Sequence, residues 1–214
     1  MHIVHFGHSC VLLDTGSARL LIDPGSFSTG FEQTEGLDAV LITHQHFDHV
    51  DQKRLPALLA ANPGARLVVD PDTVGVAKEL GLEHTVATVG DKLTLAGATV
   101  EVIGGQHASI YGDLPGITNA AYLVDDGAFL HPGDSLAQPG RDVDVLGVPV
   151  AAPWLKLAEA VDFIKAVRPR AVVPIHEALY TEVGVGLTLN WFNQTRPAAT
   201  AEIKLLAHGQ STAV

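Results

Sequence analysis

The stretch Thr43-His44-Gln45-His46-Phe47-Asp48-His49 directly follows the apolar run Ala39-Val40-Leu41-Ile42. The apolar run predicts a buried strand, and the polar stretch predicts the loop at the carboxyl end of that strand. Because side chains alternate along an extended backbone, we expect His44 and His46 to project to the same side. Two imidazoles in this arrangement can meet one metal ion, so the sequence predicts a metal site at the end of this strand.

The next two polar residues, Asp48 and His49, lie where the chain turns into the following helix. From that turn they can point towards a second metal ion a few ångströms from the first. Carboxylate oxygen together with neutral imidazole suits zinc, manganese or ferrous iron. The alternative is a polar loop whose histidines only bind backbone groups, but four ligand-type side chains in six residues have little structural purpose.

The composition limits the classes of partner. The 214 residues carry 13 basic and 24 acidic side chains, a formal charge of −11 that repels a phosphate backbone and argues against nucleic-acid binding. The single cysteine, Cys10, excludes an internal disulfide and favours a reducing compartment. We see no signal peptide at the N-terminus, and no run approaches the roughly 18 apolar residues of a membrane span. The sequence therefore predicts a cytoplasmic protein without a membrane segment.

Periodicity along the chain predicts an α/β fold. Helices alternate with strands in the second half, with a helix over Leu155–Val167 and a last strand over Glu202–Leu206. No linker or repeat divides the chain, so we expect one domain over residues 1–214, built from two sheets in layers. The first part of the chain contains mostly strand-like runs, at Ile3–Phe6, Cys10–Leu13, Arg19–Ile22 and Ala39–Thr43.

The pattern His44-x-His46-x-Asp48-His49 resembles the motif of the metallo-β-lactamase superfamily. This resemblance implies a four-layered αβ/βα sandwich, in which two mixed, mainly antiparallel sheets are flanked by helices. In that superfamily the first two histidines and a later histidine hold one metal ion. The aspartate, the histidine after it and a last histidine hold the second ion, and another aspartate bridges both.

Three further positions match the superfamily in their order along the chain. They are His107 in a glycine-rich loop, Asp134 after Pro132-Gly133, and His176 after a predicted strand. Each has an ordinary alternative: a surface histidine, a turn-initiating aspartate and a core histidine. The resemblance implies Asp48 and Asp134 as catalytic residues. It implies seven metal ligands in all: His44, His46, Asp48, His49, His107, Asp134 and His176.

Within the superfamily the sequence is most similar to the ascorbate-6-phosphate lactonases and the uncharacterised metal-dependent hydrolases grouped with them. The resemblance covers nearly the whole chain. The stretches that carry it are Phe6-Gly7-His8-Ser9, Leu21-Ile22-Asp23-Pro24, His131-x-Gly133-Asp134, Pro149–Ala160 and Pro174-Ile175-His176.

Five residues near these stretches have roles that the sequence leaves open. Asp23 either hydrogen-bonds a ligand histidine, as the resemblance implies, or only ends a strand. Thr43 either caps the motif loop or is a strand residue. His8 and His131 are candidates to line the site. Cys10 is expected to be a small core residue rather than a reactive thiol.

The resemblance implies a binuclear metal-dependent hydrolase. A metal-bridging hydroxide would cleave a small-molecule ester, lactone, thioester, amide or phosphodiester, with Asp134 orienting the nucleophile. Zn²⁺ is the first expectation for both ions, with Mn²⁺ and Fe²⁺ as alternatives. The segments Ile110–Thr118, with Tyr111, and Pro153–Lys156 are expected to wall the cleft. Lys156 either meets an anionic substrate or is an exposed helix lysine.

Other functions remain open on the same motif. An iron-dependent oxidoreductase similar to the persulfide dioxygenases is the main alternative, and metal content would separate the two. A nuclease is disfavoured by the charge and by the missing clamping domain, and a non-catalytic metal-binding module by the full set of seven ligands. Proteins of the branch that the sequence resembles commonly self-associate, so a homo-oligomer is a further expectation, and Trp191 and Phe192 belong either to its interface or to the core.

Overall fold

The computed structural model describes residues 1–195 and 201–214, and these residues form two seven-stranded sheets. Six strands of the first sheet come from the first half of the chain: β1 (His2–His5), β2 (Val11–Asp14), β3 (Arg19–Ile22), β4 (Ala39–Ile42), β5 (Arg66–Val69) and β6 (Thr85–Val86). The second sheet contains β7 (Lys92–Leu95), β8 (Ala98–Ile103), β9 (Ala121–Val124), β10 (Phe129–His131), β11 (Val145–Pro149), β12 (Ala171–Ile175) and β13 (Glu202–Ile203). The last strand, β14 (Ser211–Ala213), returns to the first sheet and pairs with β1.

Within the part of the chain that the structure describes, four α-helices connect or follow the strands: α1 (Leu55–Ala61), α2 (Val74–Glu79), α3 (Leu157–Val167) and α4 (Glu182–Thr195). The bounds of α3 follow from local chemistry. At its start the carboxylate of Glu159 accepts a hydrogen bond from the backbone N–H of Lys156. At its end Arg168 adopts a left-handed conformation with φ 55°, and Pro169 follows.

Each sheet is antiparallel on one side and parallel on the other. The strand orders are β14-β1-β2-β3-β4-β5-β6 and β13-β12-β11-β10-β9-β8-β7. The strands from β3 to β6 are parallel, as are those from β10 to β13. Loops at the carboxyl ends of parallel strands meet at one edge of a sheet, which is where α/β proteins build their sites.

The two sheets pack face to face over a common apolar core. Ile22 and Leu41 from the first sheet and Val100 and Tyr122 from the second lie in this core, and all are fully buried. The Tyr122 hydroxyl crosses the core and donates a hydrogen bond to the carbonyl of Ile42 at 2.7 Å. This bond fixes the end of β4, where the histidine-rich loop begins.

The helices cover the outer faces of the two sheets. Leu55 and Leu58 of α1, with Ala77 of α2, pack in a cluster on the first sheet. Ile164 of α3 and Phe192 of α4 pack in a cluster on the second sheet. The layer order is therefore helices, sheet, sheet, helices, which confirms the predicted αβ/βα sandwich of two mixed sheets.

The C-terminal region differs from the sequence-based expectation at two strands. The predicted last strand over Glu202–Leu206 is only the two-residue β13, after which the chain leaves the sheet. The three-residue β14 was not predicted, because Ser211-Thr212-Ala213 lacks the apolar alternation that marks a strand. Among the described residues, no helix is long and apolar enough to cross a membrane.

Candidate metal centre

The loop that follows β4 carries His44, His46, Asp48 and His49, as the sequence predicted. Their side chains do not all point to one place. His44 and His46 approach each other, with 3.1 Å between Nε2 of His44 and Nδ1 of His46. Asp48 and His49 belong to a second group of side chains beside the first. The loop therefore contributes two potential ligands to each of two clusters.

The first cluster contains His44, His46, His107 and Asp134. One ligand-type atom from each of these residues lies within 4.8 Å of all the others. His107 comes from the loop after β8, where its Nδ1–H donates a hydrogen bond to the carbonyl of Ala108 at 2.6 Å. That bond leaves the lone pair of Nε2 directed at Asp134, 3.3 Å from Oδ2.

The second cluster contains His8, Asp48, His49 and His176, again with ligand-type atoms within 4.8 Å of one another. His176 follows β12 in a left-handed conformation with φ 65°. Its Nδ1–H donates to the carbonyl of Ala151, so Nε2 is free to face the cluster. Nε2 of His176 lies 3.7 Å from Oδ2 of Asp48.

Asp134 stands between the two clusters. Its Oδ1 lies 3.1 Å from Nε2 of His49 and 3.1 Å from Nε2 of His176, which both belong to the second cluster. Its Oδ2 faces His107 of the first cluster. The structure thus brings all seven residues of the predicted ligand set to one centre, with Asp134 in contact with both halves.

Unpartnered buried atoms indicate what this centre can hold. Among the described residues, Nε2 of His49, His107 and His176 and Oδ1 of Asp134 are buried without a hydrogen-bond partner. Asp134 lies 3.1–3.3 Å from these three nitrogens, but no hydrogen bond joins them, so the four atoms remain unsatisfied. An orphaned buried polar atom costs about 1–3 kcal/mol. Divalent ions that accept nitrogen and oxygen donors would satisfy all four atoms, so the residues fit two such ions.

Asp23 and Thr43 orient His44 and His49 through hydrogen bonds to the Nδ1 atoms of these histidines. Asp23 is fully buried and accepts three hydrogen bonds, each 2.7 Å long: from the backbone N–H and hydroxyl of Thr43 and from Nδ1–H of His49. The Thr43 hydroxyl in turn accepts from Nδ1–H of His44 at 3.0 Å. Both histidines therefore present Nε2 to the centre. The expected contact between Asp23 and a histidine of the motif is confirmed, and Thr43 has a defined role.

His8 is part of the centre, a role that the sequence left open. It is fully buried with φ 52°, and its ring lies 4.0 Å from that of His176 between centroids. Nε2–H of His8 donates to Oδ2 of Asp48 at 3.1 Å. Its backbone N–H donates to Glu177 and its carbonyl accepts from the N–H of His176, both at 2.9 Å. These bonds hold the loop after β1 against the end of β12.

His131, the other histidine with an open role, does not join either cluster. It is fully buried, and Nε2–H donates to the carbonyl of Ser9 at 2.9 Å. Its Nδ1 accepts from the backbone N–H of Gly133 at 3.2 Å. His131 therefore positions the turn that leads to Asp134 instead of contacting the cleft.

The electrostatics of the centre favour the ligand forms of several residues. Burial holds the pKa of His44 well below its usual value and also lowers the pKa of His46, so both are neutral near pH 7. Burial alone would raise the pKa of Asp48, but the hydrogen bond from His8 and the nearby His49 lower it to about 2. Burial would lower the pKa of His49, but Asp134 and Asp23 raise it well above its usual value. A metal ion therefore competes with a proton for Nε2 of His49.

Trp154 makes a contact with the centre that sequence reasoning missed. Its indole Nε1–H donates a hydrogen bond to Oδ2 of Asp134 at 2.9 Å, and its ring lies 6.2 Å from that of His107. The sequence had suggested only that the segment around Trp154 walls the cleft. No pattern in the sequence marks which tryptophan meets a carboxylate, because that contact depends on how the loop after β11 folds back.

Replacing Trp154 with phenylalanine should weaken metal binding by about tenfold, because Asp134 loses the donor that fixes its Oδ2. The phenyl ring retains most of the packing, so the free energy of unfolding of the metal-free protein should change little. The matched control is Trp191→Phe at the only other tryptophan, which is 48% exposed on α4. Chelator competition measures both affinities. Equal affinities in the two variants would rule out a role for the indole N–H.

The remaining candidates lie in ordinary positions. Tyr111 is 78% exposed and Lys156 is exposed, so neither is enclosed in the cleft. Cys10 is buried in the core as predicted, and burial raises the pKa of its thiol well above the usual value. Trp191 is half-exposed whereas its neighbour Phe192 is buried, so only Phe192 is a core residue.

Comparison with known proteins identifies the family. The family model described as "Beta-lactamase superfamily domain" matches residues 2–176, which include all the residues of both clusters. Protein Rv0786c of Mycobacterium tuberculosis is 47% identical over 210 residues, covering 96% of each chain. A UPF0173 metal-dependent hydrolase of Aeropyrum pernix is 25% identical over 205 residues, covering 81% of each chain.

The fold has solved counterparts at low sequence identity. Igni18, a metallo hydrolase of Ignicoccus hospitalis, superposes with a TM-score of 0.75 at 19% identity, over 99% of this chain and 97% of that one. At this identity the likeness concerns the fold alone. The family model and the 47% identical relative show that this chain belongs to the β-lactamase superfamily.

Proposed function

We propose that this metal-dependent hydrolase holds two divalent metal ions, one in each cluster, and cleaves a small-molecule ester, lactone, thioester or phosphodiester. The observation that carries the proposal is the position of Asp134, whose two oxygens face different clusters. A carboxylate in this position can serve two ions at once. The seven predicted ligands, Asp48 and Asp134 among them, are assigned here on that basis.

The chemistry at such a centre needs no nucleophilic side chain. Divalent ions supply a water nucleophile at neutral pH and polarise the oxygen of the substrate. The protein's own contribution is orientation. Trp154 holds one oxygen of Asp134, so the other oxygen stays directed at the second cluster. Asp23 fixes the tautomer of His49, and His8 fixes the carboxylate of Asp48.

Zinc is our first proposal for both ions. The seven assigned donors are five imidazoles and two carboxylates, with no thiolate among them. Manganese and ferrous iron accept the same donors, and their availability decides which is bound in the cell. A centre loaded with iron alone would favour the oxidoreductase alternative.

The number of metal ions per chain tests the proposal directly. After chelation and reloading with Zn²⁺, elemental analysis should give about two equivalents per chain. His46→Ala removes a donor from the first cluster only and His176→Ala removes one from the second only, so each should retain about one equivalent. The control is His84→Ala, in the loop before β6, which should retain two. Full loading of both cluster variants would contradict the assignment.

Hydrolysis tests the reaction class. The zinc-loaded protein should cleave at least one member of a panel containing a lactone, a thioester and bis-p-nitrophenyl phosphate, and His46→Ala should lose that activity. A protein that binds one equivalent of iron and leaves the whole panel intact would instead support the oxidoreductase.

A further inference from the structure

A cavity of about 290 Å³ opens beside the first cluster, between the motif loop and the loop after β8. His46 and His107 form part of its wall, so a molecule bound to the first cluster would extend into it. The volume is at the small end of the range for ligand sites, and it suits a short chain or a small ring. The cavity therefore indicates what kind of group lies next to the reacting bond.

The rest of the wall is largely apolar. Ile110, Leu114, Pro115 and Ile117 line it together with the uncharged polar residues Gln106 and Ser109, and no lysine, arginine, aspartate or glutamate does so among the described residues. Recognition of a phosphate or a carboxylate usually relies on arginine or lysine. A charged group that extends beyond the metal ions into this cavity would lose hydration without meeting a side chain of opposite charge.

The loop that forms this wall is fixed at its base and exposed at its tip. The N–H of His107 donates to the carbonyl of Ile117 at 3.0 Å, and the N–H of Ala108 donates to the carbonyl of Asp134 at 2.8 Å. These bonds tie the base of the loop to the centre. Ile110 and Leu114 nevertheless remain 48% and 59% exposed. Apolar side chains that stay exposed beside a polar centre mark a surface that a ligand covers.

Two aromatic side chains extend the apolar surface to the second cluster. Phe47 lies between His46 and Asp48 in the motif and is 61% exposed. Phe27 is 40% exposed and meets Phe47 edge to face, with 5.4 Å between ring centroids. The Phe27 ring also contacts the His8 ring at 5.2 Å. Both clusters are thus bordered by apolar surface.

We propose that the substrate is uncharged next to the reacting bond and carries a short apolar group, which occupies the cavity lined by Ile110, Leu114 and Ile117. This inference rests on the proposed function and narrows it to apolar esters, lactones or thioesters. Phosphodiesters and phosphorylated sugars are poor substrates in this proposal, because no lysine or arginine of the cavity wall meets charge that extends beyond the metal ions.

Chain-length dependence tests the inference. The substrates are p-nitrophenyl acetate, butanoate and hexanoate, cleaved by the zinc-loaded protein with metal-free protein as the blank. Burial of each methylene should raise kcat/KM by about fourfold until the cavity is full. Values for acetate and hexanoate within twofold of each other, or faster cleavage of bis-p-nitrophenyl phosphate, would overturn the inference.

A pair of matched variants locates the effect. Leu114→Lys places a cation in the wall, and it should remove the preference for hexanoate while improving cleavage of the anionic p-nitrophenyl hemiester of glutaric acid. The control is Leu187→Lys on α4, since Leu187 is 57% exposed and Leu114 is 59% exposed. A control variant that lost the preference equally would overturn the assignment to this cavity.

A binding measurement distinguishes a failure of this inference from a failure of the proposed function. In the Trp191→Phe background Trp154 is the sole tryptophan, and its ring lies 6.2 Å from that of His107 in the cavity wall. Its fluorescence should show that N-hexylacetamide binds more tightly than N-ethylacetamide. Tighter binding of the hexyl compound, without hydrolysis of any substrate, would overturn the proposed function and support the apolar cavity. Hydrolysis that does not depend on chain length, together with equal binding of the two amides, would support the proposed function and overturn this inference.

Discussion

Replacing Asp134 with asparagine should reduce kcat/KM for hydrolysis on the order of 10³-fold, the scale on which a preorganised electrostatic site loses activity when one group is removed. The two side chains have the same shape, but asparagine loses the negative charge that faces His49, His107 and His176. We expect metal content to fall below two equivalents. If affinity falls 100-fold, metal-dependent stabilisation should decrease by about 2.7 kcal/mol under near-saturating conditions.

The control for this variant is Asp126→Asn, because the Asp126 side chain is 90% exposed in the turn after β9. It should retain both metal ions and full activity. The measurements are elemental analysis, kcat/KM on the best substrate of the panel, and thermal unfolding with and without metal. Two bound equivalents and an unchanged rate in Asp134→Asn would show that this carboxylate does not serve the ions.

The second large effect should come from Asp23→Asn, a residue that we do not assign as a ligand. An amide cannot accept hydrogen bonds at both positions where Asp23 now receives them from Thr43 and His49. A buried donor is left unsatisfied, so the free energy of unfolding of the metal-free protein should fall by about 1–3 kcal/mol. Metal affinity should fall by about 10–100-fold, because His49 loses the partner that fixes its tautomer.

Urea unfolding and chelator competition measure the two effects separately. The matched control is Asp14→Asn, because Asp14 accepts a hydrogen bond from Gly16 in an exposed turn where asparagine is equally suitable. If the Asp23 variant lost stability but kept wild-type metal affinity, the role of Asp23 would be limited to stabilising the fold. Unchanged stability and metal affinity would show that the buried hydrogen bonds of Asp23 contribute neither to folding nor to metal binding.

The motif loop was the most predictable part of the molecule. Strand alternation and the spacing of His44, His46, Asp48 and His49 are local properties, so they could be read from the sequence. His107, Asp134 and His176 could be aligned only through the family resemblance, since each is distant in sequence from the motif. Their convergence at one centre is now described, while their assignment as ligands stays a prediction.

The contacts that could not be predicted depend on how separate loops meet. His8 reaches Asp48 because the loop after β1 packs against the end of β12, and Trp154 reaches Asp134 because the loop after β11 folds back. His131 shows the converse. It is near Asp134 in sequence, yet its ring is directed at Ser9. A single domain over residues 1–214, a small-molecule substrate, a cytoplasmic location and self-association are still predictions.

The convergence of loops from both sheets has a consequence for the order of folding. The motif loop is synthesised early, but Asp134 and His176 follow about ninety and one hundred and thirty residues after His44. Contacts at such separations close slowly, because loop entropy is lost before they form. A nascent chain therefore carries two of the four residues of the first cluster and three of the four residues of the second cluster before the second sheet exists. We therefore expect metal ions to bind only after both sheets have formed. Zinc should then slow unfolding more than it accelerates refolding.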